Sequence, residues 1–255
     1  LLILMKELQA RINLLMQCEI SVSFLENEPK FFRKVANLTG MGKDKLKRFA
    51  EIKTFDNVIH PIIAFQDVSH PLKGKWHEEF NSNKPIILEL GCGRGEYTVG
   101  LAQKFKKKNF IGVDIKGARL WRGAKTAYEQ NITNVRFLRT KVDFIDKLFE
   151  KDEVEQIWLT FSDPQPKKPR KRLTSPLFVN RYKNILSSNG TIHLKTDSDL
   201  LYQYTIDEIK ENNYTLIQNI QNIYADFNSL NEELKSTMSI QTFYEKKWLK
   251  NEKSH

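Results

Sequence analysis

Cysteine is nearly absent from this chain. Cys18 and Cys92 are the only two among 255 residues. They lie far apart, with no Cys or His companions at ligand spacing, which excludes a disulfide framework and a zinc site. The five histidines, His60, His70, His77, His193 and His255, are scattered, with no H-x-x-H or H-E-x-x-H pairing on one helix face. No metal is therefore expected. Long apolar runs are missing as well. A membrane-spanning helix needs about 18 or more such residues in a row, and the apolar opening at 1–5 is broken by Lys6, Glu7, Gln9 and Arg11. Neither a membrane partner nor a secretion signal is expected, and sparse cysteine suits a cytoplasmic location.

Positive charge is abundant. The net charge of +10 favours nucleic acid or an anionic membrane surface over acidic proteins. With 40% hydrophobic residues, the length suffices for one full α/β domain with extensions. Residues 1–40 read as an N-terminal extension, because MGKDKLKRFAE at 41–51 looks like a natural beginning. Met41 is the expected native start. The alternative is an amphipathic extension, with Leu4, Leu8, Ile12, Leu15 and Met16 at helical spacing. Residues 41–84 read as a basic arm that opens on Lys43, Lys45, Lys47 and Arg48, a run suited to RNA contact or, alternatively, a solvated terminus, and stays irregular over 52–84. Residues 85–250 read as the main domain.

Its most informative stretch is IILELGCGRG at 86–95. A short β-branched apolar run suits a buried parallel strand, and the alternating glycines suit a tight turn on which a ligand can lie against the backbone. Downstream, strands are expected at 110–115, 135–140, 156–161 and 191–196, with helices at about 95–106, 118–130, 175–187 and 199–211. Two last strands are expected at 215–220 and near 239–249. Strands separated by helical crossovers imply an α/β fold with a mostly parallel seven-stranded sheet and helices on both faces.

In such a sheet, ligands bind outside the carboxyl ends of the strands. Glu89 and Gly91, Gly93 and Gly95 end the first strand, and Asp114 ends the second, where it can accept hydrogen bonds from ribose hydroxyls. This would serve NAD or S-adenosylmethionine equally. GCGRG alone could be a tight strand–helix turn. Two details favour S-adenosylmethionine: the spacing G-x-G-x-G rather than G-x-G-x-x-G, and an acid two positions before the first glycine. A dinucleotide needs its pyrophosphate on the helix N-terminus, whereas the cationic end of S-adenosylmethionine can use Glu89.

The loop FSDPQPKKPRKR at 161–172 follows another strand. Asp163, Gln165 and Lys168 each precede a proline, which holds the loop extended. Asp163 would stand at the strand mouth, with Lys167, Lys168, Arg170, Lys171 and Arg172 free to face phosphates; alternatively, the run is a solvated basic loop. Trp121 and Trp158 read as core or interfacial residues, while Tyr97 and Phe161 flank the expected pocket.

Together, ELGCGRG, GVDIKGARLWRGA, FSDPQPKK, HLKTD and TFYE, in this order over about 41–250, resemble the bacterial tRNA (guanine-N7)-methyltransferases. The resemblance implies a Rossmann-like, S-adenosylmethionine-dependent methyltransferase, monomeric or homodimeric, acting on N7 of a guanine in the variable loop of tRNA. It implies that Glu89, Gly91, Gly93, Asp114, Lys141, Val142 and Asp163 line the cofactor site and that Asp163 is also catalytic. Lys167, Asp197, Thr242 and Glu245 would bind the substrate. Three positions depart from the family pattern: Gln165 stands where tryptophan is common, Asp114 where glutamate is common, and Lys141-Val142 where aspartate-alanine is common, with Asp143 nearby as a substitute carboxylate. Guanine N7 carries an in-plane lone pair, so no strong general base is required. Two other classes stay open: a methyltransferase for a different RNA, a protein or a small molecule, and a noncatalytic RNA-binding protein.

Overall fold

The computed structural model describes residues 43–61, 69–243 and 245–246. The chain divides into two units, residues 1–47 and 48–255. Of the first, the described residues are 43–47, the opening of helix α1 (Lys43–Glu51). The expected extension at 1–40 and the start at Met41 lie outside the described residues.

The second unit is built around β2 (Ile86–Leu90), all of whose residues are buried. Alternate side chains point to opposite faces of a strand. Ile86, Leu88 and Leu90 therefore enter one hydrophobic core and Ile87 the other. Burying each such side chain contributes about 2 kcal/mol. Glu89 shares the face of Ile87 and is the polar exception. The neighbours of β2 are β3 (Asn109–Val113) and β5 (Val154–Thr160); β4 (Val135–Leu138) and a two-residue β1 (Val58–Ile59) lie beyond β3, and β6 (Leu186–Lys195) lies beyond β5. The order is β1-β4-β3-β2-β5-β6, with every pairing parallel.

Helices cover both faces. The face of Ile86, Leu88 and Leu90 is packed by α2 (Trp76–Phe80) and α5 (Pro176–Lys183). The face of Ile87 is packed by α3 (Glu96–Lys104) and α4 (Gly117–Glu129). Helix α6 (Asp199–Glu211) follows β6 and opens on Ser198, whose hydroxyl accepts from Leu201 N–H, an N-cap.

Three expectations are corrected. Of the stretch 52–84, read as an irregular arm, the described residues supply β1 and α2. Trp76 is fully buried and stacks on Phe149, and its indole N–H donates to Leu148 O at 2.9 Å. The Glu153 carboxylate accepts from the backbone N–H groups of Gly74, Trp76 and Glu150. Tertiary partners supply the order that the local pattern lacks.

The alternating run at 215–220 forms no strand. Leu216 is 49% and Ile217 76% exposed, because alternation needs a paired edge to become a strand and, among the described residues, β6 pairs only with β5. Near 239–249, where a strand was also expected, the described residues Phe243, Glu245 and Lys246 are helical instead, after helix α7 (Glu232–Met238). Thr242 and Glu245 explain this. Glu245 N–H donates to Thr242 Oγ1 at 3.1 Å and Thr242 N–H to Glu245 Oε2 at 3.3 Å, a capping box that starts a helical turn. Among the described residues the sheet has six strands rather than seven.

Candidate active site

The chain winds from β2 through β3 to β4 on one side and places β5 and β6 on the other, so the direction reverses between β2 and β5. The carboxyl ends of these two strands border the crevice where ligands of such sheets bind. Glu89 stands there, opposite Gly112 on β3 and Trp158 on β5, and is 3% exposed. Its Oε2 accepts from Thr98 N–H at 2.8 Å and from the Thr98 hydroxyl, and its Oε1 accepts from the Thr160 hydroxyl. Burial raises the carboxyl pKa to about 7 against the pull of these hydrogen bonds, with a smaller contribution from Glu96. A carboxylate has about four lone-pair sites, and three donors leave capacity for one more.

Beyond Glu89 the chain turns through Gly91, Gly93 and Gly95, all at positive φ. Gly93 has φ +56 and nothing within 4 Å of an added Cβ, so its bare face is open. Gly95 has φ +68, and an added Cβ would meet Phe137 Cε1 at 2.5 Å. One glycine thus leaves room for a ligand and the other lets α3 pack. Gly95→Ala is expected to cost about 3 kcal/mol of stability, combining overpacking with the left-handed backbone, and Gly93→Ala about 1 kcal/mol from the backbone alone. Denaturant unfolding of both variants checks the difference.

Asp114 follows β3. Its Oδ2 accepts from Gly93 N–H at 2.9 Å and its Oδ1 from Lys116 N–H at 2.6 Å, so the second acid is tied to the glycine turn. Lys141 is exposed and Val142 half-buried at the start of a 3-10 turn after β4. Asp143 pairs with Lys171 at 3.3 Å, which bridges this turn to the basic loop.

The loop after β5 holds two non-glycine residues at positive φ, Phe161 at +49 and Gln165 at +44. Asp163 is exposed, and its Oδ1 accepts Gln165 N–H at 3.0 Å. This Asx turn steadies the left-handed residue. Lys167, Lys168, Arg170 and Lys171 are exposed, whereas Arg172 is 4% exposed. Arg172 Nε donates to Pro164 O at 2.8 Å and its guanidinium lies over the Tyr204 ring at 4.3 Å. Of the five cations expected to face phosphates, Arg172 is corrected to a brace that holds the Asp163 loop from beneath.

Asp197 is exposed just past β6. Thr242 is half-buried, and Glu245 is 2% exposed and paired with Lys195 at 2.7 Å. Tyr97, fully buried on α3, has a hydroxyl without a hydrogen-bond partner among the described residues. Burial raises its pKa, with smaller contributions from Glu89 and Glu245. Trp158 is buried and stacks on His193 at 4.1 Å. Trp121 is half-buried and donates to Glu51 at 2.9 Å.

Glu89, the glycine turn and Asp114 stand at the carboxyl ends of β2 and β3, and Asp163 lies in the loop that follows the neighbouring β5. The sequence did not single out Thr98, Thr160, Lys195 or the bracing role of Arg172. The available signal was Lys195 in HLKTD, a charged residue at the end of an apolar strand.

Residues 83–255 match the family described as "Putative methyltransferase". The chain is similar to the tRNA (guanine-N(7)-)-methyltransferase of Bacteroides fragilis, 49% identical over 211 residues, covering 82% of this chain and 82% of that protein. It is also similar to the tRNA (guanine-N(7)-)-methyltransferase of Christiangramia forsetii, 48% identical over 215 residues, covering 83% and 94%.

Proposed function

Because this chain belongs to the tRNA (guanine-N(7)-)-methyltransferase family, we propose that it transfers the methyl group of S-adenosylmethionine to N7 of a guanine in the variable loop of tRNA, in the cytoplasm. The observation that carries this reading is a buried acid and an open glycine turn at the end of β2, next to an exposed aspartate loop with four exposed cations after the neighbouring β5. Among the described residues, no helix is long and apolar enough to cross a membrane and no group of three His, Cys, Asp or Glu could hold a metal ion.

The residues present fit the cofactor. Glu89 has acceptor capacity for an ammonium group, Gly93 offers bare backbone, the Tyr97 hydroxyl has no partner among the described residues, and Asp114 stands within reach of the turn. When bound, S-adenosylmethionine supplies a methyl group on a cationic sulfur, which the lone pair of guanine N7 can displace without prior deprotonation. No group of the chain need remove a proton. Alignment and electrostatic placement are what the chain contributes. Asp163, exposed at the loop, orients the purine and favours the positive charge that the base acquires. Lys167, Lys168, Arg170 and Lys171 meet phosphates, and four such contacts to single-stranded RNA correspond to a salt slope of roughly −3. Asp197 contributes on the substrate side.

Incubation with labelled S-adenosylmethionine and unmodified tRNA, followed by digestion and mass spectrometry, tests the reading. 7-Methylguanosine at a variable-loop position is expected. Another methylated nucleoside would overturn the base specificity, and no label on RNA would overturn the substrate.

The raised pKa of Glu89 also sets a pH dependence. An ammonium group prefers the ionised carboxylate, which in the free protein predominates above pH 7. Cofactor affinity is expected to weaken as pH falls through 7, approaching tenfold per unit, and calorimetric titration from about pH 5.5 to about pH 8.5 measures it. A flat profile would assign the ammonium group to another partner.

A further inference from the structure

We propose that Lys195 is a positioning residue that clamps Thr242, Phe243 and Glu245 to the carboxyl edge of the sheet through its buried ion pair with Glu245. The proposal rests on the methyl-transfer reading. Lys195 ends β6 opposite Thr160 on β5, so its side chain shares a face with Thr160 and, one strand further, with Glu89. Its Nζ lies 2.7 Å from Glu245 Oε1, the two side chains being 5% and 2% exposed, and 5.6 Å from the ring centres of both Tyr97 and Phe161. The contact is an ion pair without hydrogen-bond alignment, and among the described residues no other acceptor reaches the ammonium group.

Taking an ammonium and a carboxylate out of water is costly, and a well-packed apolar pair serves folding at least as well. The pair provides a fixed point for three elements. Glu245 also accepts from the Tyr224 hydroxyl at 2.6 Å and is capped by Thr242. Phe243 N–H donates to Glu96 Oε2 at 2.9 Å, and the Arg94 guanidinium lies 3.9 Å from the Phe243 ring centre. Arg94 and Glu96 flank Gly95, so the segment is held by the glycine turn at one end and by β6 at the other. The carbonyl of Lys195 accepts Phe161 N–H at 2.8 Å, which ties the root of the Asp163 loop to the same residue. Lys195 therefore joins the segment, the aspartate loop and, through Phe243, the cofactor turn. Its own side chain is buried away from solvent and acts through Glu245.

The decisive variant is Lys195→Met/Glu245→Gln, which leaves no unpaired charge inside. Glu245→Gln alone provides a second reading if the double variant does not fold. Both are compared with the full wild-type chain by thermal unfolding, calorimetric titration of S-adenosylmethionine, steady-state kinetics on transcribed tRNA and amide hydrogen exchange. The expected result is a folded protein with cofactor affinity within about threefold of wild type, kcat/KM for tRNA lowered about tenfold or more, and exchange at 242–246 accelerated by a similar factor. Wild-type kcat/KM for tRNA in a folded variant, a parallel loss of cofactor affinity, or unchanged exchange at 242–246 would each overturn the clamp. If the wild type itself makes no 7-methylguanosine, the activity reading fails, and the exchange measurement still decides the clamp.

Discussion

Glu89→Gln is expected to bind S-adenosylmethionine about tenfold or more weakly at pH 8 while unfolding at a higher temperature than the wild type. The two effects share one cause. Glu89 is buried and its pKa is raised from 4.5 to about 7, so the fold prefers the protonated acid. Between these two values the unfolded chain has released the proton and the folded chain still holds it. Stability therefore falls as pH rises from 4.5 to 7, by about 3 kcal/mol, and levels off above. Glutamine keeps the shape and remains neutral. Its oxygen can accept from Thr98, and the Thr160 hydroxyl can turn to accept from the amide. The variant thus removes the charge that favours an ammonium group and the penalty of holding that charge inside. Thermal melts at about pH 4 and 8.5, bracketing the span between the unfolded and native pKa values, should converge at the lower pH and separate at the higher. Cofactor affinity should lose its dependence on pH. A variant less stable than wild type at the higher pH would show that the ionised carboxylate is itself stabilising.

Replacement of Asp163 should produce the largest loss of turnover. Asp163→Ala is expected to lower kcat on tRNA by about a hundredfold or more, the range for removing a group placed against developing charge, with cofactor affinity changed little. The alanine variant also removes the acceptor for Gln165 N–H and so loosens a turn that carries φ +44 at Gln165. Asp163→Asn separates the two contributions, since asparagine can keep that turn but carries no charge. If charge dominates, the asparagine variant is nearly as slow as alanine. If it retains most of the rate, Asp163 acts by shaping the loop, and an equal loss of cofactor affinity would make it a cofactor residue. Single-turnover kinetics with calorimetric titration distinguishes these results.

The candidate site was legible where its geometry is local. A β-branched run ending in an acid and spaced glycines places Glu89, Gly91, Gly93 and Asp114 with little help from distant residues, because strand alternation and the turn fix where each side chain points. The Asp163 loop was legible through its prolines and its place after an apolar strand. The alternating run at 215–220 misled because its pattern pairs with no strand: among the described residues β6, the edge strand, bonds only to β5. The stretch 52–84 lacked a pattern because its order comes from Glu153, Leu148 and Phe149, far along the chain.

The sequence by itself determined the central parallel strands, their helical crossovers, the crevice they flank and the motifs that mark the family, since each depends on period and spacing within a few residues. The tertiary structure alone decided the fate of individual charges. Arg172 closes a basic run in the sequence but is buried under Pro164 and Tyr204. Lys195 and Glu245 stand 50 positions apart and meet inside the protein. Whether a charge faces water depends on which distant segments pack around it, and spacing along the chain carries no record of that.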